Sequence, residues 1–270
     1  MTPEDFARLQ SLTAARAGLR LTRDRMHLAE HRLGPIARRE GFASVEALLA
    51  VLWERQADTL GWSVVEALLN AETWFRRDRQ PFDTLAREML PALGQARGRA
   101  VRIWAAGCST GQEAYSLALA AADAGVSAEI TAVDLSQRAI EKARSGLYTA
   151  FEIQRGLSAA TMLRGFRPED DQWRARAELR ASIAFDRANL LDETADAARY
   201  DVIFCRYVLS DMEPARRAQV LDSIEARLMD DGCLFLGLGE RPDGETVAFR
   251  PVVGREGLYV KAPTRFSRAA

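Results

Sequence analysis

The sequence predicts an α/β protein with a helical first part and a doubly wound, mostly parallel sheet in its second part. Short apolar runs alternate with longer helical patterns after about residue 100, which is typical of a parallel sheet covered by helices. The first apolar run ends in a small loop bracketed by Gly107 and Gly111. Such a loop is where an open α/β sheet presents a ligand at a strand's carboxyl end.

Residues 1–85 are predicted to be helical, because no alternating strand pattern occurs before residue 100. Thr2 begins the first helix as an N-cap before Pro3 and two acids. Ser44 caps a second helix, and residues 61–69 favour a third. We therefore expect a helical domain at 1–85 with a linker to about residue 98, followed by a second domain at 99–270.

The second domain is expected to contain five short strands, two long helices and a closing hairpin. The predicted strands are 101–105, 129–133, 183–185, 202–205 and 233–237, the helices 112–124 and 214–229, and the hairpin 246–251 with 257–261. Asp230-Asp231-Gly232 predicts a turn just before the fifth strand. Residues 161–181 are longer and more charged than an ordinary connection, which indicates a small inserted subdomain. A solvated crossover helix is the alternative.

Composition excludes several classes of function. The net charge of −1 over 270 residues gives no electrostatic argument for nucleic acid or a membrane surface. No apolar run approaches the ~18 residues of a membrane span, and no signal peptide is visible. Three widely spaced cysteines in apolar contexts predict reduced core thiols. We expect a cytoplasmic protein, a monomer, with no nucleic-acid partner and no direct membrane insertion.

The spacing of the two glycines limits which ligands the loop is expected to bind. Gly107 and Gly111 do not form the G-x-G-x-x-G of dinucleotide sites, and no G-x-x-x-x-G-K-S/T phosphate loop is present. A second predicted strand ends in Asp134, 23 residues after Gly111, where an acid can accept both ribose hydroxyls. S-adenosylmethionine (AdoMet), which has a ribose but no phosphate, fits this pattern.

Three polar residues are candidate ligands of that cofactor, each with a structural alternative. Glu113 could bind the amino group of the methionine moiety or simply complement a helix dipole. Asp134 could bind ribose or act as a helix N-cap. Asn189 could pair with an adenine edge through its amide, or occupy a turn.

Two basic segments suggest other sites. Residues 70–82 are dense in aromatic and arginine side chains, and arginine offers a rigid fork for a carboxylate; an interdomain linker with aromatic anchors is the alternative. His27-Leu28-Ala29-Glu30-His31 matches the H-x-x-E-H pattern of inverted zinc peptidases. The chain has no third histidine, so we expect a basic, solvent-facing helix and no metal.

Several segments together resemble the CheR family of chemotaxis receptor methyltransferases over nearly the whole chain. E-T-W-F-R-R-D at 72–78 resembles the family's E-T-x-F-F-R-D, and I-W-A-A-G-C-S-T-G-Q-E-A-Y-S at 103–116 resembles its I-W-S-A-G-C-S-T-G-Q-E-P-Y-S. Residues 140–148 resemble L-x-K-A-R-x-G-x-Y, and 200–206 resemble F-D-x-I-F-C-R. The resemblance implies a helical N-terminal domain and a Rossmann-like AdoMet-dependent methyltransferase domain with a small inserted β-subdomain.

The resemblance also implies site residues. Thr73 and Arg77 would flank the methionine moiety and the reaction centre, and both are the expected catalytic residues. The full set of expected cofactor residues is Asn70, Thr73, Arg77, Gly107, Glu113, Asp134, Asn189, Leu190, Arg206 and Tyr207. The expected substrate residues, which would meet the acidic helices of a receptor, are Arg20, Arg23, Arg32, Arg38, Arg39 and Asp211.

Four departures from the family pattern are expected near the substrate-facing wall. The family's N-V-x-I-Y-F after Cys205-Arg206 reads Y-V-L-S-D-M here, so Tyr207 replaces an asparagine and Asp211 aligns with the active-site tyrosine. Arg76 replaces the second phenylalanine of F-F-R, and G-H-S-E reads G-L-G-E at 237–240.

The activity implied is AdoMet-dependent methylation of glutamate side chains in the cytoplasmic helical domain of methyl-accepting chemoreceptors, with S-adenosylhomocysteine as product. The inserted segment lacks the G-x-G that accompanies docking of a receptor's C-terminal pentapeptide, so we expect a pentapeptide-independent enzyme. Two alternatives stay open: a non-catalytic AdoMet-binding signalling module, and a methyltransferase for another acceptor.

Overall fold

The chain forms two compact units. The computed structural model describes residues 1–55, 57–192, 198–242, 244 and 246–262. The first unit comprises Met1–Asn70 with Ser210–Arg217, and the second comprises Ala71–Leu209 with Ala218–Ala270. The predicted fold class, a helical first part and an α/β second part, is confirmed.

The first unit is built from four helices around one apolar core. They are α1 Pro3–Ala17, α2 Met26–Arg39, α3 Val45–Arg55 and α4 Asp58–Leu68. Thr2 caps α1 in a capping box with Asp5, and the Ser44 hydroxyl accepts from the Ala47 amide at 3.2 Å, so both predicted helix starts are confirmed. Leu9, Leu33 and Leu48 are fully buried in the core of this unit.

The second unit begins at Ala71, inside the stretch predicted as a helical domain at 1–85 with a linker to about residue 98. It contains α5 Gln80–Thr84, a π-helical turn at Leu85–Met89 and α6 Leu90–Arg97. Phe82, Leu85 and Leu90 are buried in the core of the α/β unit. Apolar residues that recur every three to five positions give this stretch a buried helical face, which a flexible connection would not have.

A seven-stranded sheet forms the centre of the second unit. Its strands are β1 Val101–Ala106, β2 Ala128–Asp134, β6 Ile183–Arg187, β7 Tyr200–Cys205, β8 Leu228–Leu236, β9 Phe249–Pro251 and β10 Leu258–Lys261. The spatial order is β6-β2-β1-β7-β8-β10-β9. The first five strands are parallel, and β9 and β10 form the predicted closing hairpin as an antiparallel pair.

The order of strands places a switch point beside β1. From β1 the chain adds β2 and then β6 on one side, and returns to add β7 and β8 on the other. Ligands of open α/β sheets bind at the carboxyl ends of the strands at such a point. The loop that follows β1 therefore lies where a cofactor site is expected.

The turn predicted at 230–232 is not a turn before the strand. Leu228 already pairs with Tyr200, and Cys233 pairs with Val202 after a register shift. Asp231 is turned toward Arg97, with an oxygen 2.6 Å from Nη2. The polar residues thus form an irregularity inside β8 rather than its start.

A smaller antiparallel sheet accompanies the main one. It has the order β3-β5-β4 and consists of β3 Leu147–Thr149, β4 Phe166–Glu169 and β5 Gln172–Ala175. Strand β3 lies before the predicted inserted segment at 161–181. The remaining helices are α7 Gln112–Ala124, α8 Gln137–Ser145, α9 Ala150–Gln154, α10 Ala159–Gly165, α11 Ala177–Ala181 and α12 Pro214–Arg227.

No helix in the described part of the chain is long and apolar enough to cross a membrane. Cys108, Cys205 and Cys233 are free and buried, as predicted for core thiols. Burial raises the pKa of all three thiols above the ordinary value of 9.0.

Candidate active site

The loop between β1 and α7 is closely fitted to its neighbours. Gly107 has a φ of +87°, and a Cβ built there would lie 2.4 Å from Cγ2 of Val208. Any other residue at position 107 would strain the backbone at this φ and would have to displace Val208, so only glycine fits. The amides of Gly107 and Cys108 both donate to the carbonyl of Val133 on the neighbouring strand, at 2.9 Å each. The loop is therefore tied to the end of β2.

Asp134 holds that arrangement in place. One of its carboxylate oxygens accepts from the Ser109 amide at 2.7 Å, and the other from the Ser136 amide at 2.9 Å. The N-cap of α8 is Ser136, whose side chain accepts from the Ala139 amide. Asp134 thus joins the β1 loop to the start of α8, and it is half-buried at the strand end where a ribose is expected.

Glu113 is a buried carboxylate in the first turn of α7. Its Oε2 accepts from Nη1 of Arg206 at 3.1 Å. Its Oε1 is buried without a hydrogen-bond partner among the described residues. Burial raises the pKa of Glu113, although the Arg206 guanidinium opposes this rise. An unpaired buried carboxylate oxygen suits a ligand N–H, and the ammonium group of AdoMet is such a donor.

Arg206 connects Glu113 to the segment at 72–78. Its side chain is 1% exposed. Nη2 lies 2.5 Å from Oδ2 of Asp78 and 3.0 Å from the carbonyl of Arg77. The Glu113 and Asp78 carboxylates therefore lie on either side of one buried guanidinium, and the expected role of Arg206 in cofactor binding stays a prediction.

The 72–78 segment is anchored by Phe75. This ring is fully buried and makes edge-to-face contacts with Tyr148 and Phe166, with centroids 5.0 and 5.3 Å apart. The Arg76 amide donates to the Ser116 hydroxyl at 2.9 Å. These contacts fix the backbone next to Arg77.

Arg77 lies against two aromatic rings. Its guanidinium carbon is 3.6 Å from the centre of the Tyr207 ring and 4.4 Å from that of Trp74. Nη1 donates to the carbonyl of Glu72 at 2.9 Å, and Nε is buried with no hydrogen-bond partner among the described residues. Thr73 is half-buried in the same segment.

Asn189 follows β6 and its side-chain oxygen accepts from the Leu191 amide at 3.2 Å. This is the contact of a turn-forming asparagine, so the turn alternative describes its local role. Leu190 is half-buried. Asn70 is the last residue of the first unit in this part of the chain.

The four departures from the family pattern have different surroundings. Tyr207 contacts the segment at 237–240, since its amide donates at 2.6 Å to Oε2 of Glu240, a residue of that segment that matches the family pattern. Arg76 instead pairs with Asp123 at 2.6 Å, at the end of α7. Asp211 belongs to the helical unit, where its carboxylate lies 3.1 Å from Arg25. Arg76 thus lies along α7, with its amide on Ser116 and its side chain on Asp123, and the expected position of the departures near the substrate-facing wall stays a prediction.

The arginines expected to meet a receptor divide into two groups. Arg20, Arg23 and Arg38 are exposed, and Arg39 is exposed beside Glu40. Arg32 is different, because its Nη1 donates to the carbonyls of Leu68 and Leu69 at the end of α4, at 2.8 and 3.1 Å. Its cation caps that helix end.

The H-x-x-E-H segment lies on α2, with the His27 side chain 97% exposed and its Nδ1 3.7 Å from Glu30. The described residues contain no group of three or more His, Cys, Asp or Glu side chains that could hold a metal ion.

Sequence reasoning gave no site role to Asp78 or Trp74, although both lie in the 72–78 motif, and it named Glu240 only as part of the segment at 237–240. Asp78 forms an ion pair with Arg206 across 128 positions of sequence, and Trp74 is a ring against Arg77. The signal that could have found Asp78 is its position directly after Arg77 in the 72–78 motif.

Comparison with known proteins identifies the family. Residues 71–258 match the model described as CheR methyltransferase, SAM binding domain. The chain is 32% identical to chemotaxis protein methyltransferase 1 of Pseudomonas aeruginosa, over 87% of this chain and 89% of that protein. It is 29% identical to chemotaxis protein methyltransferase Cher2 of Pseudomonas putida, over 96% of this chain and 98% of that one. The probable biofilm formation methyltransferase WspC of Pseudomonas aeruginosa is 37% identical over 66% of this chain and 43% of its own length. The chain belongs to the CheR family of AdoMet-dependent methyltransferases.

Proposed function

We propose that the protein methylates glutamate side chains in the cytoplasmic helical domain of chemoreceptors, without a receptor pentapeptide as tether. The observation that carries this proposal is the buried Glu113 carboxylate, which keeps one oxygen unpaired beside Arg206 and follows a glycine loop at the switch point of the sheet. The names of the related chemotaxis methyltransferases support the receptor as the acceptor.

Residues of the second unit would hold the cofactor. Glu113 Oε1 would accept from the ammonium group, and Asp134 would accept from the ribose hydroxyls in addition to its two amides. Asn189 and Leu190 would line the adenine. Gly107 leaves room at the loop for close backbone approach.

Methylation of a carboxylate needs little further machinery. AdoMet would supply a methyl group on a cationic sulfonium. A glutamate acceptor is already ionised near pH 7, so no general base is required. The work of the protein is then alignment of the two reactants. Arg77 would orient the acceptor carboxylate; its Nη1 donates to the carbonyl of Glu72, and its Nε has no hydrogen-bond partner among the described residues.

The direct test is transfer of labelled methyl from AdoMet to membranes that contain receptor. Labelling that is released by base is the expected result, because methyl esters hydrolyse in base whereas methyl amines do not. Absence of transfer despite tight AdoMet binding would contradict the proposal and favour a non-catalytic signalling module. Labelling that resists base would favour another acceptor.

Replacing Asp134 with alanine is expected to weaken AdoMet binding by about tenfold or more, because hydrogen bonds to a charged group contribute about 1.5–3 kcal/mol. Calorimetry measures the dissociation constant. Asp186→Ala is the matched control, since Asp186 pairs in register with Val133 on the next strand and its side chain is 67% exposed. Equal affinities of wild type and Asp134→Ala would refute a ribose role for Asp134.

Reversing the charge of Arg23 and Arg38 is expected to raise the Michaelis constant for receptor several-fold while leaving AdoMet affinity unchanged. Both side chains are exposed in the helical unit, and interface charges act mainly on partner recognition. Arg138→Glu, a charge reversal at an exposed position on α8, is the control. An equal loss in the control, or none in the double variant, would exclude this surface as the receptor site.

A further inference from the structure

The backbone at Tyr207 has a conformation that tyrosine rarely adopts. Its φ is +59°, a left-handed value that is uncommon for bulky residues and accepted more readily by asparagine. The family pattern has asparagine at this position. A tyrosine here costs conformational free energy that asparagine would largely avoid, so the ring is expected to have a local role.

The backbone of Tyr207 is held by Glu240. The amides of Tyr207 and Gly237 both donate to Oε2 of this buried carboxylate, at 2.6 and 2.8 Å. A Cβ built on Gly237 would lie 2.9 Å from Cδ1 of Tyr207. The ring therefore packs directly against the backbone at the end of β8.

The ring of Tyr207 also contacts the guanidinium of Arg77. At 3.6 Å from the ring centre, this is the shorter of the two aromatic contacts of Arg77; Trp74 provides the other at 4.4 Å. Arg155 lies against Trp74 as well, at 4.0 Å, and pairs with Glu72 at 3.2 Å. Two rings and the carbonyl of Glu72 thus restrict Arg77 to one orientation.

The hydroxyl of Tyr207 completes the restraint. It donates to Oδ2 of Asp78, the oxygen that also accepts from Arg206. The Leu238 amide donates to the same hydroxyl at 3.3 Å. Burial, with the Asp78 carboxylate, raises the pKa of Tyr207, so the phenol stays protonated at neutral pH and remains a donor.

We propose that Tyr207 is a positioning residue that fixes the Arg77 guanidinium for a carboxylate acceptor, with its ring against Arg77 and its hydroxyl on Asp78. That Arg77 is held for a carboxylate acceptor rests on the proposed function. The positioning itself does not, because it is a property of the protein alone.

The experiment uses arginine-labelled full-length protein and records the Nε–Hε resonance of Arg77 by NMR, assigned with Arg77→Lys. Stacking against aromatic rings is expected to displace this resonance from the position of a solvated arginine. Tyr207→Phe keeps the ring and should retain the displaced signal. Tyr207→Asn removes the ring in a conformation that asparagine tolerates, and should move the signal toward the solvated position. Tyr207→Gly does the same if the asparagine variant does not fold.

Activity provides the second readout. Tyr207→Asn is expected to lower kcat for receptor methylation about tenfold, in line with the loss of a half-buried cation–π contact, and Tyr207→Phe is expected to lower it less. An Arg77 resonance unchanged by Tyr207→Asn would overturn the proposal. Absence of any receptor methylation by the wild-type protein would overturn the proposed function, while the NMR result would still decide the positioning role.

Discussion

Replacing Asp201 with alanine is expected to lower the free energy of unfolding by about 3–5 kcal/mol, the cost of breaking a buried ion pair by removing one partner. The Asp201 side chain on β7 is 0% exposed. It accepts from Nε of Arg97 at 2.6 Å, from Nη1 of Arg99 at 2.9 Å and from the Arg102 amide at 2.9 Å. Its removal takes an acceptor from all three donors, although Arg99 Nη1 still donates to the carbonyl of Ala100 at 2.7 Å.

Asp231 provides a matched control. It is bonded to the other end of the same Arg97 side chain, at 2.6 and 2.8 Å, but its own side chain is 66% exposed. Asp231→Ala is expected to cost less than about 1 kcal/mol, as exposed ion pairs do. Urea unfolding of both variants measures the difference, and equal losses would show that burial does not govern this cluster.

The effect of Asp201 is also expected to depend on pH. Burial favours the protonated carboxyl, but the hydrogen bonds from Arg99, Arg102 and Arg97 outweigh it and hold the pKa below the ordinary 3.8. A carboxyl with a lowered pKa in the folded state stabilises fully above its unfolded pKa, and this stability is lost as pH falls through the folded value. The gap between wild type and Asp201→Ala should therefore narrow only below about pH 4.

Much of the sheet could be predicted because its signals are local. The strand ending at Ala106 and the helix Gln112–Ala124 follow from contiguous apolar runs and from the glycines beside them. The predicted helical domain at 1–85 contains Phe82 and Leu85, and the predicted linker to about residue 98 contains Leu90, yet all three side chains are buried in the core of the second unit. A local pattern is weak where tertiary contacts decide the structure.

The polar network of the site could not be read from local patterns. Arg206 reaches Glu113 across 93 positions and Asp78 across 128, and no periodicity relates such residues. Arg76, Asp78 and Arg79 all have positive φ values, although none is a glycine that would predict them. The 72–78 motif indicated which residues matter, but only the fold shows that Arg77 is held between rings.

Replacing Glu113 with glutamine is expected to weaken AdoMet binding by about 10- to 100-fold, because a hydrogen bond from an ammonium to a carboxylate is stronger than one to a neutral amide. Glutamine retains an oxygen for Arg206, so the variant should fold. Glu152→Gln is the control, since Glu152 is a partly buried carboxylate paired with Lys142. Calorimetry with AdoMet compares the three proteins, and a loss shared by Glu152→Gln would mark a general effect of lost charge.

The pH dependence of binding distinguishes the carboxylate of Glu113 from a neutral partner. Burial raises the pKa of Glu113 above the ordinary 4.5, so its protonated fraction grows at a higher pH than for a solvated carboxyl. Only the ionised form attracts the cofactor's ammonium, and AdoMet affinity should therefore begin to fall at a higher pH than a solvated carboxyl would cause. Glu113→Gln cannot titrate, so its affinity should stay flat over the range in which wild type weakens. If the affinities of wild type and Glu113→Gln changed in parallel with pH, the Glu113 charge would not bind the ammonium group. Its unpaired oxygen would then accept from a different donor.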